Sequence, residues 1–309
     1  MKELGKIICA LLIISATFII TDRLFGLVAD RNIAAKSGGK PSYDLNRIGD
    51  EKMIILGSSR AAHHYDTEYL TDSLGIPSYN FGIDGRGITY HEAILSTALK
   101  KDSPQLIILD INPEDFKGFW NERISILYPY LPKHNDIKRI ATDVDTINRL
   151  MLKSNLYRYN SALLSELKWK FQKYKGEKRG YSPLEPKIMN GMAEIDLNIS
   201  ETIDSVTLKS FRNIIKMTEE NKIPLIIVIS PIYNKIPNIE FLIDIIKRNA
   251  PNAYLIDDSD MRFGDNSLYF NDNAHLNKDG ALLFTKYLYS QLDSILGKDK
   301  LYGKGENIN

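Results

Sequence analysis

Five residues that could act together in nucleophilic chemistry lie in four separate loops of this sequence. Ser59, Gly85 and Asn112 each come soon after an apolar run, and Asp272 and His275 precede the last helical pattern. Acyl transfer through a serine needs a base for the hydroxyl proton, a carboxylate that orients the base, and hydrogen-bond donors for the oxyanion. The set contains a candidate for each part. The order and placement of the residues, rather than any one of them, indicate this chemistry.

A parallel sheet would bring these loops to one edge of a domain. The apolar run Met53–Leu56 ends at Gly57, which predicts a strand buried on both faces and a sharp turn that presents a serine. Further strands are predicted over residues 78–83, 105–111, 224–230 and 253–256. Helices are predicted over residues 66–74, 89–101, 208–221, 239–248 and 277–296, the last with Asn277 as its N-cap. This alternation predicts an α/β fold, in which ligands bind at the carboxyl ends of the strands.

The alternation is interrupted between residues 114 and 204, where helical patterns occur without a convincing buried strand. We expect a helical insertion that caps or flanks the carboxyl edge of the sheet. Its aromatic residues Trp120, Tyr128 and Tyr130 could cover the site and offer faces for sugar rings. The basic, aromatic stretch 168–181 could contact lipid headgroups or an acidic glycan, although a solvated helix face and loop is the favoured interpretation.

An apolar segment, Ile7–Ile20, lies near the N-terminus with Lys2 and Lys6 before it. A helix of that length covers roughly 21 Å, less than the ~30 Å hydrocarbon core, so it suits a signal-peptide core or a short anchor that borrows flanking residues. We expect an uncleaved anchor, because no small-residue cleavage site follows promptly. The two lysines would then stay in the cytoplasm, and the rest of the chain would be exported.

The expected organisation has four parts. They are a membrane anchor at 1–28, a polar linker at 29–50, the main domain at 51–297 with the insertion at 114–204, and a flexible tail at 298–309. Lys and Arg number 40 and Asp and Glu 39, so nothing in the overall charge points to nucleic acid. Cys9 is the only cysteine, so no internal disulfide is possible.

Other polar residues near these loops have simpler interpretations. The glycines around Gly85 do not make the G-x-G-x-x-G pattern, so a dinucleotide site is not indicated. His63 and His64 are adjacent, which is poor spacing for metal ligands on one helix face, and we interpret them as polar residues at the start of a helix. Arg60 and Arg86 could reach an anionic group of a substrate, but surface charge explains them at least as well.

Four short segments resemble the conserved blocks of the SGNH/GDSL hydrolases. They are Gly57-Ser58-Ser59-Arg60, Asn80 to Gly85, Asp110-Ile111-Asn112-Pro113 and Asp272-Asn273-Ala274-His275. The resemblance covers about residues 51 to 297 outside the insertion, and it implies a three-layer, flavodoxin-like α/β/α fold. It implies Ser59 as the nucleophile and His275 as the base, oriented by Asp272. The oxyanion donors would be Asn112 and the backbone N–H groups of Ser59 and Gly85.

This sequence departs from the pattern of that family at three places. Ser58 replaces the usual aspartate, the third block lacks its glycine and ends in Pro113, and Leu276 replaces the usual proline after the histidine. The first departure is tolerated in membrane-tethered bacterial members found with surface-polysaccharide genes. The Gly-Ser-Ser-Arg form and the N-terminal anchor resemble that type.

The expected function is an exported, membrane-anchored serine esterase or O-acyltransferase. Its substrate would be an acylated surface glycan or a small ester, with acetyl as the expected acyl group. No metal, cofactor or nucleic acid is needed for this chemistry, and the sequence does not indicate an oligomeric state. The alternative is a non-catalytic, membrane-tethered subunit that binds glycan or assists polysaccharide assembly. A binding module has no use for a base paired with a nucleophile, which argues against that alternative.

Overall fold

The computed structural model describes residues 2–34, 38–47, 51–187, 199, 202–233, 236–261 and 267–301. The chain divides into two compact units. The helical unit comprises Met1–Asn46 and Ile124–Lys175, and the sheet unit comprises Arg47–Arg123 and Gly176–Asn309. The part of the predicted tail beyond Leu301 lies outside the described residues.

The α-helices and strands have the following bounds in chain order. The helices are α1 Lys2–Asn32, α2 Lys40–Arg47, α3 Ser59–His64, α4 Thr67–Leu74, α5 Ile88–Ala98, α6 Asn135–Val144, α7 Asn148–Met151, α8 Asn155–Asn160, α9 Leu163–Phe171, α10 Ser205–Glu220, α11 Ile239–Asn249 and α12 Lys278–Leu301, which is interrupted at Gly297. The strands are β1 Met53–Leu56, β2 Ser78–Asn80, β3 Leu106–Asp110, β4 Leu225–Ile229 and β5 Tyr254–Asp257.

The five strands form one parallel sheet in the order β2-β1-β3-β4-β5. Every residue of β1, β3 and β4 is buried, as the continuous apolar runs predict. The predicted α/β class is therefore confirmed. Strand β2 ends at Asn80, three residues before the predicted end, because the Asn80 side chain accepts the Gly82 N–H at 2.8 Å and turns the chain into a loop.

Alternate residues of the strands build the core on one face of the sheet. Ile55, Ile108 and Val228 pack there with Leu70 of α4 and Phe284 of α12. Because side chains alternate along a strand, the intervening residues point to the other face, and they are also buried. Helices α5 and α10 pack against each other. The sheet is thus a frame packed on both faces, and the loops at the carboxyl ends of β1, β2 and β3 carry Ser59, Gly85 and Asn112.

Helix α12 begins as the sequence predicts. The Oδ1 of Asn277 accepts the N–H groups of Asp279 and Gly280, each at 3.1 Å. These bonds satisfy two of the unpaired donors of the first turn, so Asn277 is the N-cap.

In the helical unit, α1 is long and apolar enough to cross a membrane, and its most apolar part makes no buried contact. Beyond that part, Asp22 accepts the hydroxyl of Ser154 at 2.7 Å and the N–H of Leu156 at 2.9 Å. About two helical turns further on, Asp30 pairs with Arg158 at 3.0 Å. The second half of α1 therefore packs along α8, and the helix extends beyond the predicted anchor boundary at residue 28.

The segment predicted as an insertion forms short helices, and no strand occurs among its described residues. Tyr128 and Tyr130 are 4% and 7% exposed, so they cannot offer faces to sugar rings. Tyr130 donates to Glu166 at 2.7 Å, and Tyr128 accepts the amide of Asn148 at 3.1 Å. Both rings are therefore part of the core of the helical unit. The predicted linker is also partly ordered, since it contains α2.

Candidate active site

The turn after β1 places Ser59 at the first residue of α3. Gly57 has a φ of +146°, a conformation that L side chains rarely adopt. A Cβ at this position would lie 2.7 Å from the Cβ of Ala61 and 2.9 Å from the Cβ of Asp110. The close approach of β1, β3 and α3 thus requires glycine two residues before Ser59.

Ser59, His275 and Asp272 form a chain of hydrogen bonds. The Nε2 of His275 lies 2.7 Å from the Oγ of Ser59, and its Nδ1 lies 2.9 Å and 3.0 Å from the two carboxylate oxygens of Asp272. A carboxylate can only accept, so Nδ1 carries the proton and Nε2 is free to accept the serine hydroxyl. This is the arrangement that a serine nucleophile and its general base require.

The Asp272 carboxylate is fixed by its own loop. Its Oδ1 accepts the backbone N–H groups of Ala274 and His275, each at 2.9 Å. Partial burial raises the pKa of Asp272, but the hydrogen bonds from His275 and Ala274 outweigh it and hold the pKa at about 2. Asp272 is therefore ionised at any pH where an esterase would work.

Gly85 and Asn112, the two predicted oxyanion donors outside the Ser59 turn, lie after the strands that flank β1. Gly85 follows β2 with a φ of +63°. Asn112 follows β3, and its Oδ1 accepts the N–H of Glu114 at 3.1 Å, which fixes the orientation of the amide. Among the residues that the structure describes, the Nδ2 of Asn112 and the N–H of Gly85 have no acceptor. An oxyanion hole requires donors of this kind, so the oxyanion role of both groups stays a prediction.

His64 is a structural part of the site that the sequence interpretation missed. It is buried, its Nδ1 lies 3.0 Å from the Oγ of Ser230, and its Nε2 accepts the N–H of Leu276 at 3.0 Å. Burial lowers the pKa of His64 well below its usual value, so the ring is neutral. The ring ties the end of α3, which begins at Ser59, to the residue after His275. The interpretation as a polar residue at a helix start is wrong.

His63 also lies near His275, with 5.6 Å between the ring centres. Its Nδ1 faces the carbonyl of Ser182, and its Nε2 lies 3.1 Å from the Oδ1 of Asp84. Burial opposes protonation of the ring, but the hydrogen bonds with Asp84 and Ser182 outweigh it and raise the pKa of His63. Two acceptors favour the imidazolium form, and the ion pair links α3 to the loop of Gly85.

Arg60 reaches neither a substrate nor the surface, so both sequence-based interpretations of this residue are wrong. It is fully buried, and it donates to the carbonyl of Ser230 at 3.1 Å, to Asp110 at 3.3 Å and to the carbonyl of Ile111. Tyr65 donates to the other oxygen of Asp110. Arg60 directly follows Ser59, so its hydrogen bonds link the start of α3 to the ends of β3 and β4.

Two further buried groups hold the flanking loops, and neither could be recognised from sequence. The amide of Asn80 donates to the carbonyl of Ala61 at 2.6 Å and accepts the N–H of Gly82, which joins α3 to the Gly85 loop. The Oδ2 of Asp115 accepts the N–H of Asn112 at 2.8 Å. Burial raises the pKa of Asp115 to about 7. The block resemblance includes Asn80 but gives it no role, and Asp115 lies three residues past Asn112.

Comparisons with known proteins give structural likenesses only. No family model matches the chain, and no curated protein matches it. A solved structure of a candidate platelet activating factor from Streptococcus pneumonia has a TM-score of 0.42 and 12% identity, covering 90% of this chain and 99% of that one. A gut microbial diltiazem-metabolizing enzyme has a TM-score of 0.38 and 13% identity, covering 79% of this chain and 47% of that one.

Proposed function

We propose that this protein is a membrane-anchored serine hydrolase or O-acyltransferase of the SGNH type. The observation that carries the proposal is the hydrogen-bonded chain from Ser59 through His275 to Asp272 at the carboxyl end of a parallel sheet. A hydroxyl, an imidazole and an ionised carboxylate in that order make a nucleophile with its base and orienting group. A binding module would gain nothing from this arrangement.

The reaction begins when the Ser59 oxygen attacks the carbonyl carbon of an ester and its proton passes to the Nε2 of His275. The carbonyl oxygen becomes an oxyanion, for which the N–H groups of Ser59 and Gly85 and the amide of Asn112 are the donors. The C–O bond to the alcohol then breaks, and His275 returns its proton to the leaving oxygen. Water or a sugar hydroxyl attacks the resulting acyl-serine, again with His275 as the base, and regenerates free Ser59.

The strand order supports the flavodoxin-like assignment. The order β2-β1-β3-β4-β5 is the doubly wound order in which ligands bind where the chain changes direction across the sheet, between β1 and β3. Ser59 follows β1 and Asn112 follows β3, so two of the proposed site residues lie at that point. We take residues 51–297 as the SGNH domain on these grounds.

The membrane assignment rests on α1. Its apolar part follows Lys2 and Lys6, so the anchor would cross a bacterial membrane once and leave the sheet unit on the exported side. A protein in that position meets surface polysaccharide, which makes an acylated glycan the proposed substrate. Acetyl is the proposed acyl group, and transfer to a sugar would compete with hydrolysis.

The experiment supplies an activated acetyl ester to the full-length protein together with candidate acceptor oligosaccharides. We expect acetate release and, at high acceptor concentration, acetylated sugar detected by mass spectrometry. Both products should be lost in the Ser59→Ala variant. Acetate as the sole product at every acceptor concentration would leave a plain esterase, and equal rates with wild type and Ser59→Ala would remove the enzymatic proposal.

A further inference from the structure

Two arginines converge on the loop that carries Gly85. Arg86 donates to the carbonyl oxygen of Gly85 at 3.1 Å, and Arg123 donates to the same oxygen at 3.3 Å. Arg123 also lies over the ring of Trp120, with its Cζ 4.2 Å from the ring centre. Two guanidinium groups are therefore held side by side by one carbonyl and one aromatic face.

The positive charges of Arg86 and Arg123 are not neutralised by a salt bridge. Within the described part of the chain, neither arginine forms an ion pair. The nearby acid is Asp84, and its Oδ1 lies 3.1 Å from the Nε2 of His63 rather than against a guanidinium. Burial lowers the pKa of Arg86, and the positive charge of Arg123 lowers it further, while Tyr90 and Asp84 oppose this shift without cancelling it. Like charges placed this close are unfavourable unless an anion joins them.

The loop that carries Arg86 is connected to the proposed catalytic histidine through His63. His63 contacts Asp84 through the ion pair, and the His63 ring lies 5.6 Å from the ring of His275, centre to centre. Arg86 lies two residues after Asp84 on the same loop, and Arg123 contacts that loop at Gly85. A substrate whose ester carbonyl reaches Ser59 would extend its neighbouring groups over this loop.

We propose that Arg86 and Arg123 form a subsite for an anionic group of the substrate or acyl acceptor. Guanidinium groups bind carboxylate and phosphate through paired, charge-assisted hydrogen bonds, and both arginines have donors left over after the bond to Gly85. The inference rests on the proposed ester chemistry at Ser59 and narrows its substrate class. The glycan would be acidic, with a carboxylate or phosphate close to the acylated position.

The test compares three aryl acetates that differ in charge at the para position. They are 4-acetoxybenzoate, 4-acetoxyphenyl phosphate and the neutral methyl 4-acetoxybenzoate. For each we would measure kcat and KM of the wild type and of Arg123→Gln, which alters an exposed side chain and should fold. The ratio of kcat/KM for an anionic ester to that for the neutral ester cancels intrinsic reactivity between the two proteins.

We expect Arg123→Gln to lower this ratio about tenfold or more, mainly through KM, because one charge-assisted hydrogen bond is lost. Arg123→Lys should recover part of the ratio, and high salt should lower it in the wild type. Arg248→Gln is the matched control, because Arg248 is also exposed and pairs with Asp244 on α11. The anionic ester that gives the larger ratio identifies the group as carboxylate or phosphate.

An unchanged ratio in Arg123→Gln for both anionic esters would overturn the inference, as would an equal loss in Arg248→Gln. If the wild type hydrolysed none of the three esters, the proposed function would fail first. Ligand-observed NMR would then decide the inference separately. Binding of 4-acetoxybenzoate that is weakened in Arg123→Gln would support it, and equal binding to both proteins would reject it.

Discussion

Ser58 and Ser59 are neighbours with opposite environments, and this contrast gives the simplest test of the nucleophile. The Oγ of Ser59 lies 2.7 Å from His275, whereas the Oγ of Ser58 is buried and has no hydrogen-bond partner among the described residues. Ser59→Ala should lower kcat for an activated ester by ~10⁶-fold, since removing a nucleophile removes the whole catalytic unit. Ser58→Ala should change kcat by less than about tenfold, because no bond is lost. Similar losses in both variants would contradict the assignment.

Asp115 gives a prediction for the pH dependence of stability. Burial raises its pKa to about 7, above the ordinary 3.8, so the folded protein keeps a proton that the unfolded chain releases near pH 4. The free energy of unfolding should therefore fall as pH rises from about 4 to 7, by a few kcal/mol at ~1.4 kcal/mol per unit of pKa. Asp115→Asn should remove this slope and be the more stable protein at pH 8.

The measurement is urea unfolding of the wild type and of Asp115→Asn, in the same detergent and at several pH values between 4 and 8. Other titrating groups contribute equally to both proteins. The difference between the two curves of unfolding free energy against pH therefore gives the contribution of the Asp115 carboxyl. Parallel curves would show that the carboxyl is not protonated in the folded state.

At the scale of elements, Arg60 joins three parts of the sheet unit. Arg60→Met would leave the Asp110 carboxylate buried beside Tyr65 without its positive partner, which typically costs ~3–5 kcal/mol. Asp110→Asn should cost less in the Arg60→Met protein than in the wild type, because the uncompensated charge is then removed. Chemical unfolding of the four proteins of this double-mutant cycle measures the coupling, and additive effects would show that the pair is not linked.

The strands could be predicted because the sequence patterns that indicate them lie in consecutive residues. The buried runs of β1, β3 and β4 are continuous in sequence, and Asn277 caps α12 through residues two and three positions away. The role of His64 could not be predicted, because its two ring partners lie 166 and 212 residues further along the chain. The role of Arg60 could not be predicted either, because arginine is ordinarily exposed and only the assembled strand ends supply its hydrogen-bond acceptors.

At the scale of the whole molecule, the proposal that α1 is a membrane anchor predicts the location of the protein. The chain should fractionate with membranes at full length, and residues beyond Asp50 should be digested only by protease added from the exported side. Recovery of a shortened, soluble form would show that the apolar segment is a cleaved signal. Asp22→Ala should leave the membrane fractionation unchanged but loosen the helical unit, because the start of α8 loses the carboxylate that accepts the Leu156 N–H and the Ser154 hydroxyl.

The central claim is that Ser59 is an activated nucleophile, and covalent labelling tests it most directly. The full-length protein is treated with a fluorophosphonate probe, digested, and the modified peptide is sequenced by mass spectrometry. We predict one adduct, on Ser59, that is absent in Ser59→Ala, strongly slowed in His275→Ala and retained in Ser58→Ala. An unlabelled wild-type protein, or an adduct on another residue that persists in Ser59→Ala, would contradict the account.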